Sequence, residues 1–248
     1  MVSLVAAVPA VHRRARVRSR RSSVVVFGIA CAAASLLVPI GASHAQGTVS
    51  GLVSILERPG TRTTDLADAV VWLEPRGGGG APAKSRAQIV MESREFVPRV
   101  RVVGAGSAVG FPNQDPFRHN VFSKSGPSEF DLGLYARGES KDARVDRAGV
   151  YPVFCNIHAK MVAYIVAVPT SYVAQPNPDG RFTIAGVPAG TYTVHAWHDR
   201  GGEQKSEITV AGDGLSDVSV QLDARGYRFV PHKNKFGQEY TNSGRDRY

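Results

Sequence analysis

From Gln46 onward, the chain consists of short runs of β-branched and aromatic residues, each ended within a few residues by glycine, proline or an Asp-Gly pair. No apolar repeat with the 3.6-residue period of a helix persists for more than about two turns. The run MVAYIVAV is apolar enough for a buried helix, but its β-branched residues and the following Pro169 favour a strand. The pattern therefore predicts an all-β protein.

The first 45 residues have the pattern of an export signal. Arginines precede an apolar run, Val24 to Ala42, and small residues follow it in SHAQG, with the cleavage site expected after Ala45. A retained membrane anchor is the alternative, since the apolar run is just long enough to cross a bilayer. Arg20 and Arg21 resemble a twin-arginine export signal. Removal of the signal predicts a periplasmic or secreted protein with no membrane span in its mature form.

Export changes how the charge and the cysteines are interpreted. The leader holds six of the 30 basic residues and no acidic one, so the mature chain carries 24 basic against 21 acidic side chains. That near balance argues against a nucleic-acid partner. The leader also contains Cys31, so Cys155 is the one mature cysteine and cannot form an internal disulfide. It is then buried and inert, paired between chains, or bound to a metal.

Turn-rich and polar stretches divide the mature chain into four segments. A β segment spans residues 46–80 and ends in the flexible break RGGGGAPAK. Residues 86–168 contain some seven short strands, the spacing of a β-sandwich. A second β segment spans residues 176–223, after a linker around PTSYVAQPN. The polar, basic residues 224–248 are expected to form a poorly ordered or surface-wrapped tail.

The stretch VFCNIHAKMVAY places Cys155, His158 and Met161 within seven positions. Two imidazoles, a thiolate and a weak axial thioether are the ligand set of a blue-copper centre. His119 in DPFRHNVF supplies a second imidazole from another strand end. Taken singly, each residue is more often core filler or a structural donor. Zinc is a less suitable metal because it rarely binds a thioether, and a cysteine nucleophile lacks an orienting third group.

Residues 87–168 resemble a cupredoxin, a Greek-key β-sandwich that binds one type 1 copper. Cys-x-x-His-x-x-Met resembles the short ligand loop of the amicyanins, and EFVPRVRVVGAGSAVGFPNQD followed by HNV resembles the approach to the first copper histidine. The resemblance implies His119, Cys155 and His158 as strong ligands, Met161 as the axial ligand, and Asn120 as a residue that ties the two ligand loops together near the thiolate. The prolines that relatives often carry beside the second histidine are replaced here by Ile157 and Ala159.

The segment PDGRFTIAGVPAGTYTVHAW resembles the carboxypeptidase regulatory-like family, a small transthyretin-like β-sandwich that is usually non-catalytic. GTVSG and DAVVWLEP, far upstream, resemble the first strands of that family. One interpretation is a discontinuous sandwich, built from residues 47–75 and 176–223, into which the cupredoxin is inserted. The alternative is a separate N-terminal hairpin packed on the cupredoxin.

Together these features predict an exported electron carrier that cycles between Cu(I) and Cu(II), and not an enzyme. The alternative is a cell-envelope binding or structural module in which copper is stored, sensed or absent. Further histidines do not suggest more copper: His195 and His198 lie three apart on a strand and face opposite ways, and His232 is expected to be solvated.

In cupredoxins the electron usually passes through the exposed edge of the loop histidine, here His158. An apolar patch surrounds that edge, and its candidate residues are Pro116, Phe117, Ile157 and Ala159. Arg118 and Lys160 would give the patch a basic rim, which predicts a redox partner with acidic groups at its docking surface. Alternatively, these two cations are simply solvated.

Overall fold

The computed structural model describes residues 46–240, and this part of the chain is built almost wholly from strands. A single short 3-10 helix, Leu66–Asp68, interrupts them. The strands are β1 (Gln46–Leu56), β2 (Val70–Pro75), β3 (Arg86–Gln88), β4 (Val90–Glu92), β5 (Glu95–Val97), β6 (Val100–Gly104), β7 (Ser107–Pro112), β8 (His119–Ser123), β9 (Phe130–Tyr135), β10 (Ser140–Val145), β11 (Gly149–Cys155), β12 (Val162–Val168), β13 (Val173–Ala174), β14 (Arg181–Pro188), β15 (Gly190–His198), β16 (Gly202–Val210) and β17 (Gly214–Asp223).

The all-β prediction is confirmed, and the apolar run before Pro169 forms the strand β12. Within residues 46–240, no helix has the length and apolarity needed to span a bilayer. The expected signal sequence of residues 1–45, including its cleavage site, lies outside the described residues.

The strands β3 to β12 form a sandwich, here called the central sandwich. One sheet has the order β6-β12-β11-β8-β9, the facing sheet has the order β10-β7-β3, and β4 pairs with β5 in a hairpin. Their inner faces meet in a core of apolar side chains that includes Cys155 and Met161. The sequence predicted some seven strands in this region. The structure has ten strands there. The sequence pattern missed β3, β4 and β5, which are only three residues long, and β9, which follows a polar stretch.

The remaining strands form a second sandwich, here called the flanking sandwich. Its sheets have the orders β14-β1-β17 and β13-β2-β15-β16. The strand β1 pairs antiparallel with β14 and in parallel with β17, and β2 pairs with β15. The N-terminal segment is therefore part of this sandwich and is not a hairpin on the central one. The linker before residue 176 also contributes, since β13 pairs with β2.

The two sandwiches share a small apolar core. Trp72 and Trp197 from the flanking sandwich pack with Val100, Val166 and Val168 of the central sandwich. One arginine cluster crosses this junction and a second lies within the flanking sandwich. Arg99 bonds Asp68 at 2.8 Å and also contacts Asp199, while Arg200 pairs with Asp65 at 2.5 Å and Glu57 at 2.6 Å. The apolar core and the Arg99 ion pairs thus connect the two sandwiches.

Candidate metal centre

Two adjacent strands deliver the candidate ligands to one end of the central sandwich. His119 is the first residue of β8 and Cys155 is the last residue of β11. These strands are hydrogen-bonded neighbours, with Cys155 opposite Val121. The loop after β11 carries His158 and reaches Met161 just before β12. Because both strands lie inside a sheet, their ends hold the two ligand-bearing segments at a fixed separation.

Three donor atoms converge at this end. Cys155 Sγ lies 3.6 Å from His119 Nδ1 and 3.5 Å from His158 Nδ1, and the two imidazole nitrogens are 3.1 Å apart. His119 and Cys155 are fully buried, whereas His158 is half-buried. The separations are short enough for one metal ion to contact all three atoms.

The protein environment acts on the Cys155 thiol in two opposing ways. Burial raises the pKa of Cys155 and outweighs the backbone amides of Ile157, Asn120 and His158, which lower it, so the pKa lies above its ordinary value. Amide dipoles directed at sulfur stabilise a thiolate, which is the form that binds metals. The site therefore supplies hydrogen-bond donors to a sulfur that is otherwise shielded from water.

His119 is held from its other side by a buried carboxylate that the sequence analysis did not identify. Asp115 Oδ2 lies 2.8 Å from His119 Nε2. Burial lowers the pKa of His119, the contact with Asp115 raises it, and the charge of Arg94 adds a further lowering effect; the result lies below the ordinary value. A carboxylate four residues before a candidate metal-binding histidine was the available signal.

A tight turn anchors Asp115 in place. Ser93 and Arg94, between β4 and β5, have left-handed backbones with φ of 55° and 62°. Their amides donate to the two carboxylate oxygens of Asp115 at 2.7 and 3.0 Å, and the Asp115 amide donates to Asn113 Oδ1 at 3.0 Å. Burial alone would raise the pKa of Asp115, but these amides and His119 hold it below its usual range.

Met161 closes the ligand loop. Its amide donates to the His158 carbonyl at 3.1 Å, and its carbonyl accepts from the Cys155 amide at 3.3 Å. The side chain is 1% exposed and packs in the same apolar core as Cys155. The turn therefore brings the start of β12 back to the end of β11, beside the other three candidates.

Asn120 connects the two ligand-bearing segments through its backbone, because its carbonyl accepts from the Asn156 amide at 3.0 Å. Its side chain is directed elsewhere and donates to Asp131 Oδ1 at 2.7 Å. The contribution of Asn120 near the thiol comes from its main-chain amide.

The donor set fits copper on its own chemistry. Imidazole nitrogen, cysteine sulfur and a nearby thioether suit a metal that alternates between a soft reduced state and a harder oxidised state. Phe117 lies against both imidazoles, with ring centroids 5.3 Å from His119 and 5.5 Å from His158. Phe117 thus covers part of both imidazoles.

The two histidines of β15 make buried contacts with neighbouring side chains. His195 stacks on Trp72 with centroids 4.7 Å apart and lies 2.7 Å from Glu203. His198 faces Asp65 and Asp199, and its ring also contacts the backbone of Asp65 and Arg200. Asp65 and Asp199 contact opposite nitrogens of that ring, and the carboxylates are paired with Arg200 and Arg99. The two histidines face opposite ways, as predicted, and His198 has the contacts of a structural residue.

His232 is not a solvated residue, contrary to the sequence-based expectation. Its ring stacks on Phe154 with centroids 4.2 Å apart, and burial lowers its pKa. The described part of the tail therefore lies against the strand that ends at Cys155.

One comparison with known proteins concerns the flanking sandwich. A family model described as polysaccharide lyase family 4, domain II, matches residues 169–217. This match falls on the flanking sandwich and differs from the carboxypeptidase regulatory-like family that the sequence resembles there. No curated protein matches the chain.

Solved structures that match the chain include copper proteins. A purple cupredoxin from Nitrosopumilus maritimus is 20% identical, with 33% of this chain and 99% of that chain covered and a TM-score of 0.30. Amicyanin from Paracoccus versutus (Thiobacillus versutus) is 18% identical, with coverages of 39% and 97% and a TM-score of 0.32. A Cu-containing nitrite reductase from Thermus scotoductus SA-01 is 22% identical, with coverages of 47% and 28% and a TM-score of 0.32.

Proposed function

We propose that this protein is an exported type 1 copper protein that carries single electrons between redox partners. The observation that carries the proposal is the convergence of His119 Nδ1, Cys155 Sγ and His158 Nδ1 within 3.6 Å of one another. Met161, at the end of the same loop, is the proposed axial ligand. A bound copper ion would supply a one-electron couple between Cu(I) and Cu(II).

The residues of the chain would keep the donors in one arrangement for both oxidation states. Asp115 orients the His119 ring, and backbone amides oppose the desolvation of the Cys155 sulfur. The bond from Asn156 to the Asn120 carbonyl ties the two ligand segments together. A donor set that barely moves keeps the reorganisation that accompanies electron transfer small, which is the physical requirement for a fast carrier.

The surface around His158 supports docking to another redox protein. Ile157 is 44% exposed, and Arg118 and Lys160, which neighbour the candidate ligands in the chain, are also exposed. An apolar centre with a basic rim fits a partner that carries acidic groups around its own redox centre. The electron donor and acceptor are therefore proposed to be proteins with acidic docking surfaces.

A second candidate is a cell-envelope binding or structural module in which copper is stored or sensed. The flanking sandwich favours it, because this sandwich accounts for seven of the strands and contributes no donor to the metal centre. The two functions differ in what happens after copper binds, since a storage or sensing site need not exchange electrons rapidly.

The experiment that tests the proposal is the absorption spectrum of protein loaded with Cu(II). The wild type should be intensely blue through thiolate-to-copper charge transfer, and one equivalent of reductant should remove the colour. Cys155→Ser should bind copper weakly and without blue colour, while Met91→Leu, a change elsewhere in the same core, should stay blue. A colourless wild-type complex would contradict the electron-carrier function.

A further inference from the structure

The tail after β17 runs from the flanking sandwich to the ligand loop, and residues 224–240 are here called the strap. The Ala224 amide donates to the Leu56 carbonyl at 3.0 Å, and Arg58 contacts the Tyr227 carbonyl. Farther along, Tyr227 and Phe229 line a cavity of about 320 Å³ together with Lys160 and Met161. The strap thus starts on one sandwich and reaches the metal-binding end of the other.

At its far end the strap contacts the peptide that joins Cys155 to Asn156. The Tyr240 hydroxyl donates to the Cys155 carbonyl at 2.6 Å. On the other side of that peptide, the Asn156 amide donates to the Asn120 carbonyl. The peptide plane is therefore held at both ends, once by the segment that carries His119 and once by the strap. This plane immediately precedes the amides of Ile157 and His158 that face the Cys155 sulfur.

Lys235 makes the second contact and links both ligand segments. Its amide donates to Asn156 Oδ1 at 2.9 Å, and its ammonium group donates to Asp131 Oδ2 at 2.8 Å. The other oxygen of Asp131 accepts from the Asn120 side chain at 2.7 Å. One strap residue is thus bonded to the loop after the cysteine and, through a carboxylate, to the residue after the first histidine.

His232 makes the third contact of the strap, with the strand β11 that ends at Cys155. Its ring stacks on Phe154, tilted by 24°, and its Nδ1 lies 3.2 Å from the Tyr240 hydroxyl. Phe154 immediately precedes Cys155 in β11. The strap consequently touches Phe154, Cys155 and Asn156, three consecutive residues centred on the proposed thiolate ligand.

We propose that Tyr240, Lys235 and His232 are positioning residues of the metal centre, and that the strap holds Cys155 and its loop in the ligand-ready arrangement while shielding the thiol. The inference rests on the proposed function for the identity of the ligands. The shielding itself is a property of the metal-free protein, so it can be measured separately.

The test is the reaction rate of Cys155 with a disulfide reagent such as Ellman's reagent, in metal-free full chain carrying Cys31→Ser. A buried thiol reacts through local opening, so loss of one hydrogen bond should raise the rate about two- to tenfold. Tyr240→Phe keeps the ring and removes the hydroxyl, and is expected to give this rise. Lys235→Met should give about twofold, because its ion pair is partly exposed. Deletion of residues 227–248 should exceed tenfold.

The matched control is Val230→Ala, which changes a strap residue that is 78% exposed and should leave the rate at the wild-type value. Copper-loaded Tyr240→Phe should also show a shifted charge-transfer band, a signature that a purely stabilising contact would not move. The global free energy of unfolding is measured in parallel by urea denaturation.

Rates in Tyr240→Phe and Lys235→Met equal to that of Val230→Ala would overturn the proposal. A rate increase fully matched by loss of global stability would overturn it as well. If the deletion variant does not fold, the thiol reaction rates of Tyr240→Phe and Lys235→Met provide the test. A wild type that binds copper without blue colour would instead contradict the proposed function, and the thiol assay would still test the shielding.

Discussion

Asp115 Oδ2 lies 2.8 Å from Nε2 of His119, while Nδ1 of the same ring faces Cys155. A carboxylate only accepts hydrogen bonds, so Nε2 carries the ring proton and Nδ1 presents its lone pair to the sulfur and to His158. The ring is thus fixed in the tautomer that a metal requires before any metal arrives.

Asp115→Ala should therefore weaken both the fold and the metal site. The change leaves His119 Nε2 and the amides of Ser93 and Arg94 without their buried acceptor. We expect the free energy of unfolding of the metal-free protein to fall by about 2–4 kcal/mol, and copper affinity to fall about 10- to 100-fold. Urea denaturation and competitive chelator titration measure the two effects. Asp146→Ala, at an exposed position, should change neither, and equal effects of the two variants would contradict this role of Asp115.

Met161→Leu separates the packing of this side chain from its proposed ligation. Leucine nearly conserves the volume, so unfolding free energy should change by less than about 1.5 kcal/mol. Loss of the thioether should nevertheless alter the reduction potential and the absorption spectrum of the copper protein. Met91→Leu removes a thioether that is equally buried and should leave both properties unchanged. Identical potentials in the two variants would show that Met161 is only a core residue.

Acid should weaken the ion-pair cluster around Arg200 in the flanking sandwich. Burial acts to raise the pKa of Asp65, but the bond to Arg200 and the charges of His198 and Arg200 outweigh it and lower the pKa below 3.8. A lowered folded-state pKa means that the stabilisation is complete above the unfolded value and is lost as the pH falls below about 4. Urea midpoints of wild type and Asp65→Asn should therefore differ at pH 7 and converge toward pH 3. Parallel curves throughout this range would refute the assignment.

Gly51→Ala tests how closely β1 is inserted between its two neighbours. A Cβ atom at Gly51 would lie 2.0 Å from the Val218 carbonyl oxygen and 2.8 Å from the Phe182 ring. The strands β14 and β17 would have to separate, with an expected loss of about 1–3 kcal/mol or more in unfolding free energy. Gly77→Ala is the control, because no atom lies within 4 Å of its added Cβ. Equal stabilities of the two variants would contradict the observed pairing.

Charge reversal at Lys160 tests the proposed docking surface. Lys160→Glu should slow electron transfer to an acidic redox protein about tenfold at low ionic strength and flatten the dependence of the rate on salt. Lys205→Glu, on the edge strand β16 of the flanking sandwich, should leave both unchanged. Stopped-flow measurements over a range of ionic strengths distinguish the two, and an unaltered salt slope in Lys160→Glu would remove the basis for docking at this patch.

The sequence contained the features of the candidate metal centre that are local in the chain. Cys155, His158 and Met161 lie close together in the chain and His119 lies in a recognisable strand start, so residue type, spacing and the cupredoxin resemblance together predicted them as candidates. Alternation of apolar residues likewise predicted most strands. The opposite orientations of His195 and His198 followed from the two-residue period of a strand.

The groups around the ligands could not be found in this way, because they depend on contacts between distant segments. Asp115 acquires its role only when the turn at Ser93 and Arg94 folds over it. The strap residues look like a polar tail in the sequence, and nothing near His232 indicates that its ring will stack on Phe154. Three-residue strands such as β4 were missed because so short a segment has no period to detect.

The parallel pairing of β1 with β17 sets the order in which the parts of this molecule can be completed. Strand β1, the first of the described strands, gains β17 as a neighbour only after nearly all of the described chain has been made, whereas every strand of the central sandwich is available earlier. Because distant pairing is slow compared with local pairing, the central sandwich should assemble first. The strap lies C-terminal to every described strand, so we expect its contacts with Cys155 to form after the central sandwich has assembled.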